Sequence, residues 1–403
     1  MENIPDLKIS SGYTCVENAQ DLARLTERLH PAVRVGMDTE ADSLHHYFEK
    51  VCLIQLSFLG ANYIVDPLAG FPLTEFFEVL AQKELIFQGA DYDLRILKKS
   101  FGFRPKTPIF DTMLAAQVLG YEKIGLAGLV ERFFGISMSK AGQKADWSKR
   151  PLSARQLTYA SDDTKYLETI ADALTEDLKK LNRVGWHREC CERVVKTSGL
   201  PDRNAEKEAW RVKGSSKLSP HELVFVRELW KWRDEEARKK DYPAFYILKN
   251  EDLIDLAGWK AKNPKMPLHQ GPSFLKRFTG ENLARLENAV RSAENMPRSE
   301  WPLPPAPEKM ERVDARPNQA KLEPLLEACK ALAKELQIES SVLASRSALT
   351  AVIQHQPGSI EKVMEVSGLM RWQAELMMPA IETVFGHHQN RQLPKPPKTG
   401  ELL

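Results

Sequence analysis

The first apolar runs along the chain have a strand-like composition. Residues 33–38, with two valines and a methionine, and 51–57, rich in valine, leucine and isoleucine, are short strand-like runs, and residues 62–66 add a third that stops at Pro67. The period then lengthens. Residues 73–80, 93–99, 112–119 and 126–134 space their apolar side chains for helices, with a short strand at 85–87 between the first two. Hairpin strands followed by alternating strand and helix predict an α/β unit with a mixed sheet and helices on both faces.

One helix is predicted over 153–180, since Leu157, Ala160, Tyr166, Leu167, Ile170 and Leu174 recur near the helical period. Ser153 and Gln156 form a capping box at its start. Beyond Leu181 the chain turns charged and wholly helical in pattern. Short amphipathic stretches from 217 to 293 predict a small all-helical unit, and a second one spans 322–385. Between them, Pro297, Pro302, Pro304, Pro305, Pro307 and Pro317 are too many for a helix and predict a semi-rigid linker. The expected division is therefore an α/β domain at 1–200, helical domains at 214–295 and 321–388, a linker at 296–320 and a disordered tail at 389–403.

Composition narrows the function only by exclusion. The chain has 403 residues, 42% of them apolar, which suits two or three domains. Its 57 Lys and Arg against 55 Asp and Glu give a net charge of +2, so any nucleic-acid binding must come from local patches. The five cysteines form no CxxC pair and no Cys/His cluster at zinc spacing, which argues against a disulfide scaffold or a structural zinc and fits a reducing cytoplasm. No apolar run is long enough to cross a bilayer, and the first residues lack the pattern of a secretory leader, so no membrane partner is expected.

The chemistry is expected from carboxylates. Asp38 and Glu40, two residues apart on a strand, project from one face and repel unless a cation lies between them. Asp91 and Asp93 open a predicted helix, where a capping role competes with a chemical one. Tyr159 and Asp163 lie four apart on the predicted 153–180 helix and share a face. Hard divalent cations take oxygen ligands, and two of them held by carboxylates can cleave a phosphodiester.

In these residues the chain resembles the ribonuclease D group of the DEDD exonuclease superfamily, in its tyrosine form. Met37-Asp38-Thr39-Glu40-Ala41 resembles the first motif, Phe87 to Leu94 the second with Asp93 in the position of the acid, and Tyr159-Ala160-Ser161-Asp162-Asp163 the third. The likeness continues through Phe110-Asp111-Thr112, Lys140, Asp146-Trp147 and Arg150-Pro151-Leu152. Gln88 departs from the histidine that relatives often carry there. Residues 217–293 resemble the helicase and RNase D C-terminal (HRDC) domain, and Leu343 to Arg346 with Arg371 to Leu376 resemble a weaker second copy.

The resemblance implies a ribonuclease H-like exonuclease domain followed by two all-helical HRDC-like domains. It implies a 3'-to-5' exoribonuclease acting as a cytoplasmic monomer on RNA with an accessible 3' end, such as transfer-RNA precursors, and releasing nucleoside 5'-monophosphates. Two Mg²⁺ or Mn²⁺ ions would sit among the four acids. Asp38 would bridge both ions, Glu40 and Asp163 would hold the hydrolytic-side ion, Asp93 would serve the second, and Tyr159 would orient the attacking water. Lys140, Lys144, Trp147 and Arg150 are expected to hold substrate, with Lys149 in the same basic stretch. The basic run Lys231, Arg233, Arg238, Lys239 and Lys240 could add phosphate contacts. The alternatives are a DNA 3'-to-5' exonuclease and a non-catalytic nucleic-acid-binding protein that keeps the fold.

Overall fold

The computed structural model describes residues 12–139, 142, 144–199, 208–303 and 315–386. Lys140, the 389–403 tail and residues 304–314 of the proline-rich segment lie outside the described residues.

A six-stranded sheet in the order β1-β4-β3-β2-β5-β6 forms the centre of the first unit. Its strands are β1 (Thr14–Val16), β2 (Arg34–Ala41), β3 (Val51–Phe58), β4 (Ala61–Val65), β5 (Glu84–Phe87) and β6 (Phe110–Asp111). The pairs β2–β3 and β3–β4 are antiparallel, whereas β1–β4, β2–β5 and β5–β6 are parallel, so the sheet is mixed as expected. Every residue of β3 is buried, because helices cover both faces of this central strand. On one face α1 (Ala19–Leu29), α2 (Thr74–Leu80) and α3 (Asp91–Phe101) close one core with Val35, Met37, Ile54 and Leu56.

The helix predicted over 153–180 is two helices. α6 (Ala154–Asp162) begins at the Ser153–Gln156 capping box and stops where Asp163 becomes its C-cap. A turn bonded from Leu167 N to Thr164 O then leads into α7 (Leu167–Lys180). The break falls at Asp162-Asp163-Thr164, residue types whose short polar side chains compete with helical hydrogen bonds. Helical periodicity continues across the turn because both helices pack against the same sheet.

The remaining helices are α4 (Thr112–Leu119), α5 (Leu126–Phe134), α8 (Val184–Ser198) and then α9 (Pro220–Lys240), which starts the helical C-terminal region. Around α9, helices Ala244–Ile247, Asn250–Lys262 and Gly280–Glu294 enclose their own core of Leu223, Phe225, Leu229, Leu253 and Leu286. The last unit has a related order: a 21-residue helix (Ala315–Glu335), a four-residue helix (Ser340–Leu343), then Arg346–His355, Ile360–Ser367 and Arg371–Phe385.

The linker is shorter than the prolines suggest. Residues up to 303 fold onto the first helical unit, where Trp301 stacks on His221 with ring centroids 4.9 Å apart. At the other end Pro317 falls in the first turn of Ala315–Glu335, a position that needs no backbone donor.

The last helical unit is not a separate body. Leu325, Leu349, Val352, Trp372 and Met377 share one continuous core with Ala116, Leu129, Ile170 and Leu174 of the α/β unit. Trp186 of α8 stacks on Trp372 with centroids 4.5 Å apart and ring planes 12° apart. Arg183, buried within the protein, donates from Nη1 to the Val118 carbonyl at 2.7 Å and from Nη2 to the Leu336 carbonyl at 2.6 Å. Carbonyls from two units are thus satisfied by one guanidinium.

Candidate active site

Asp38 and Glu40 lie within β2, before a register shift between Glu40 and Ala41. They project to the same side, where the C-cap position of Asp163 at the end of α6 brings a third carboxylate. One carboxylate oxygen from each of the three can be chosen so that all lie within 4.8 Å of one another. The helix break is what aims Asp163 inward. Its neighbour Asp162 turns away and pairs with Lys165 at 2.5 Å.

Asp93 belongs to the same electrostatic group but is anchored differently. It is buried in the first turn of α3 and accepts a 2.6 Å hydrogen bond from the Thr39 hydroxyl, between the two β2 acids. Asp91 sits outside and pairs with Arg95 at 3.0 Å. The same sequence stretch thus supplies one inward acid and one surface ion pair.

The acids raise one another's proton affinity. Burial, followed by the charges of Asp93, Asp163 and Glu40, holds Asp38 well above the ordinary carboxylate range. Glu40 is pushed up to about 9 by burial and then by Asp163 and Asp93. Asp163 rises to about 7 and Asp93 to about 6, each mainly through burial and each moderated by a hydrogen bond, from Tyr159 and Thr39 respectively. Burial and the adjacent Asp163 and Glu40 charges raise the Tyr159 phenol as well, so its hydroxyl keeps its proton.

These residues suit divalent cations. The donors are oxygens from carboxylates crowded on one another, the set that hard cations prefer. Gln55 stands opposite Asp38 in the β2–β3 register and so shares its face of the sheet. It is wholly buried, and among the described residues neither end of its amide has a hydrogen-bond partner. An orphaned amide beside three acids is what the hydration shell of an ion would satisfy. Gln55 is not legible in the sequence, because a glutamine within an apolar run has no distinctive spacing.

Tyr159 is held by close packing. A Cβ on Gly142 would lie 2.4 Å from the Tyr159 ring, so only glycine lets the 142–150 loop press against it. Trp147 lies on the same ring, with centroids 6.1 Å apart.

Two of the expected substrate contacts have structural roles instead. Trp147 is 1% exposed in a core with Cys52, Leu53 and Ala160, so it offers no stacking surface to RNA. Arg150 forks onto Asp66 at 2.6 and 2.7 Å and donates to the carbonyls of Cys52 and Trp147. Its donors tie the loop to the sheet. Lys144 is exposed, and its carbonyl receives His45 Nε2 at 3.2 Å. In the basic run of α9, Arg233 is buried and donates to Leu248 O and Asn250 Oδ1, so it is not a phosphate contact.

Asp111, in the middle of the Phe110-Asp111-Thr112 likeness, is a framework residue. Its carboxylate accepts four backbone N–H groups, from Gly89, Ala90, Met113 and Leu114, at 2.8–3.1 Å. It thereby caps α4 and fixes the turn that leads to Asp93. Gln88 accepts from Thr112 Oγ1 at 2.6 Å and donates to Ile124 O at 2.9 Å, fixing the same turn from its other side.

Comparison with known proteins bears on this geometry. Residues 13–179 match the 3'-5' exonuclease family and residues 222–265 the HRDC domain. Ribonuclease D of Xanthomonas oryzae is 32% identical over 345 residues, 83% of this chain and 90% of that protein. The chain belongs to the ribonuclease D family. Its members are 3'-to-5' exoribonucleases, and this chain carries that activity's domain and an HRDC domain in order. Ribonuclease D of Granulibacter bethesdensis is 28% identical, with 90% of each chain covered. The crystal structure of Escherichia coli RNase D, described as an exoribonuclease involved in structured RNA processing, superposes with a TM-score of 0.69 at 21% identity, covering 94% of this chain and 99% of that one. A structure from Bifidobacterium adolescentis gives 0.75 at 20% identity, covering 93% of this chain and 97% of that one. These two likenesses establish the fold over nearly the whole chain. Among the described residues no helix is long and apolar enough to cross a membrane.

Proposed function

We propose that this chain trims RNA from the 3' end with two divalent ions, Mg²⁺ or Mn²⁺, held by Asp38, Glu40, Asp93 and Asp163, with Tyr159 as a positioning group. The observation that carries the reading is the convergence of Asp38, Glu40 and Asp163 to within 4.8 Å, in surroundings that penalise their negative charge. When bound, the ions would neutralise the acids, act as Lewis acids at the phosphate and favour loss of a proton from water. The Tyr159 hydroxyl, kept protonated by its surroundings, serves as a donor and orienter rather than as a base. Hydrolysis would release a nucleoside 5'-monophosphate and leave a new 3'-hydroxyl on the shortened strand. The HRDC domain supports a structured substrate with a short 3' tail, such as a transfer-RNA precursor, on which the helical unit contacts the body and the acids receive the tail.

The test is a time course with metal-stripped full-length protein on 5'-labelled single-stranded RNA and on a transfer-RNA precursor, with and without added Mg²⁺ or Mn²⁺. A ladder that shortens by one nucleotide at a time, and only with metal, is expected. Complete degradation in excess chelator would overturn the metal reading, and internal fragments would overturn the exonucleolytic one.

A further inference from the structure

The loop between β2 and β3 joins the candidate site to the HRDC helices. Asp241, which ends α9 in a left-handed conformation, accepts from the backbone N–H groups of Tyr47 and Phe48 at 3.1 and 3.2 Å and bonds His46 Nδ1 at 2.7 Å. His46 Nε2 is 3.0 Å from Ser148 Oγ in the loop that presses on Tyr159. Tyr47 donates to Asp234 at 2.9 Å and packs on the HRDC core.

Around this junction the apolar side chains face outward. Phe48 is 57% exposed, Tyr242 54%, Phe245 46% and Tyr246 58%. Tyr242 and Tyr246 have centroids 6.5 Å apart, Phe245 and Tyr246 4.7 Å, and Tyr47 and Phe48 5.0 Å. Phe48 binds Asp241 through its backbone and Tyr242 follows Asp241 in the chain, which brings the two segments that carry these rings together. Large aromatic rings left in water cost stability unless something covers them in use. The acids nearby are occupied within the junction, Asp234 by Tyr47 and Asp241 by His46 and the two amides. Arg238 lies 5.5 Å from the Tyr47 ring centre and 3.8 Å from Asp234, and Lys239 and Lys249 are exposed in the same stretch of chain, as are the acids Glu235 and Glu251.

We propose that Phe48, Tyr242 and Tyr246 form a stacking surface for unpaired bases of the RNA, upstream of the nucleotide being removed. The proposal rests on the exoribonuclease reading of the acids and names a binding surface for the same substrate. Aromatic faces interleaved with cations are the recurring means of holding a single strand without sequence preference. A folded protein partner would need a larger continuous patch, and a duplex would present no open base faces. The location suits the task. Phe48 lies eight residues beyond Glu40 in the chain, so the loop can span at most ~27 Å. That corresponds to no more than about eight nucleotides at a rise of ~3.4 Å each.

The test measures kcat and KM for the full-length protein with Mg²⁺ or Mn²⁺ on single-stranded RNA of two and of twelve nucleotides. Alanine at Phe48, Tyr242 or Tyr246 is expected to raise KM on the longer RNA by about fivefold to a hundredfold per ring, leaving kcat and the dinucleotide reaction as in the wild type. Tyr242→Phe and Tyr246→Phe should retain the wild-type KM, whereas Tyr242→Leu and Tyr246→Leu, which keep apolar bulk without a ring face, should behave like alanine. Melting temperatures confirm folding, and the Phe and Leu pair decides the question where an alanine variant does not fold. Unchanged KM on the longer RNA in folded Leu variants overturns the proposal and favours a protein partner for the surface. A wild-type protein inactive on both lengths removes the exoribonuclease reading and this surface with it.

Discussion

Asp38 and Asp163 work against the fold that holds them. With their folded pKa raised above the unfolded value, the site's acids contribute stability below about pH 4 that is lost as the pH rises through 6 to 9, where Asp93, Asp163 and Glu40 successively ionise. Metal-free protein should therefore melt at falling temperature between about pH 4 and 9, and Mg²⁺ or Mn²⁺ should suppress the fall; a flat profile in calorimetry would contradict the shared charge. Asp38→Asn or Asp163→Asn should lower kcat by about two orders of magnitude or more. The same variants should raise the metal-free melting temperature, by about 2–4 °C for each kcal/mol of repulsion removed. A lowered melting temperature in both would give these acids a structural role. Tyr159→Phe should lose much of kcat yet bind metal as the wild type does, since only the hydroxyl goes and the ring still packs on Gly142 and Trp147. Isothermal titration with Mn²⁺ beside single-turnover kinetics separates the two effects.

At the level of elements, the site depends on two joints in the backbone. Asp111 satisfies four backbone donors and so joins the turn before α3 to the start of α4. Asp111→Ala leaves these donors, Ala90 N–H wholly inside, without their acceptor and should cost about 1–3 kcal/mol, read by denaturant unfolding. Asp111→Asn should recover part of it. The second joint is the break between α6 and α7. Helical spacing is the same on both sides of it, so residues 153–180 read as one helix in sequence. The pattern records which side chains meet the sheet, whereas the break depends on the Asp163 side chain turning toward β2. Lys140, Lys144, Trp147 and Arg150 show a related gap. A run of cations beside a tryptophan looks the same whether it faces RNA or ties a loop down, and Asp66, distant in the chain, is what occupies Arg150.

For the molecule as a whole, the shared core changes what truncation can mean. Residues 1–200 contain all four acids, but α4, α7 and α8 bury Ala116, Ile170, Leu174 and Trp186 against the last helical unit. A chain ending near residue 200 should expose that face and aggregate, so loss of activity in it would report folding rather than recognition. Trp372→Ala should cost about 3–5 kcal/mol and lower the main calorimetric transition of the α/β unit. If only a minor, separate transition moved, the last unit would be folding independently. The first helical unit has its own core and meets the α/β unit through polar contacts at Tyr47, His46 and Asp241, so its attachment should be the more sensitive to salt.

What the sequence determined by itself were the features set by local spacing: strand and helix periods, the two acids on one face of β2, the capping box at Ser153, and the motifs that carry the family likeness. These need only a chain and a solvent, because period and cap chemistry act within a few residues. The tertiary structure alone decided which charges meet and which surfaces remain open. It turned Asp93 inward and Asp91 outward, placed the orphaned Gln55 amide across from Asp38, buried Trp147, and fused the last helices to the α/β core while leaving Phe48, Tyr242 and Tyr246 in water. Each of those outcomes depends on contacts between segments far apart in sequence, whose free energies come from burial and charge at a place that no local pattern specifies.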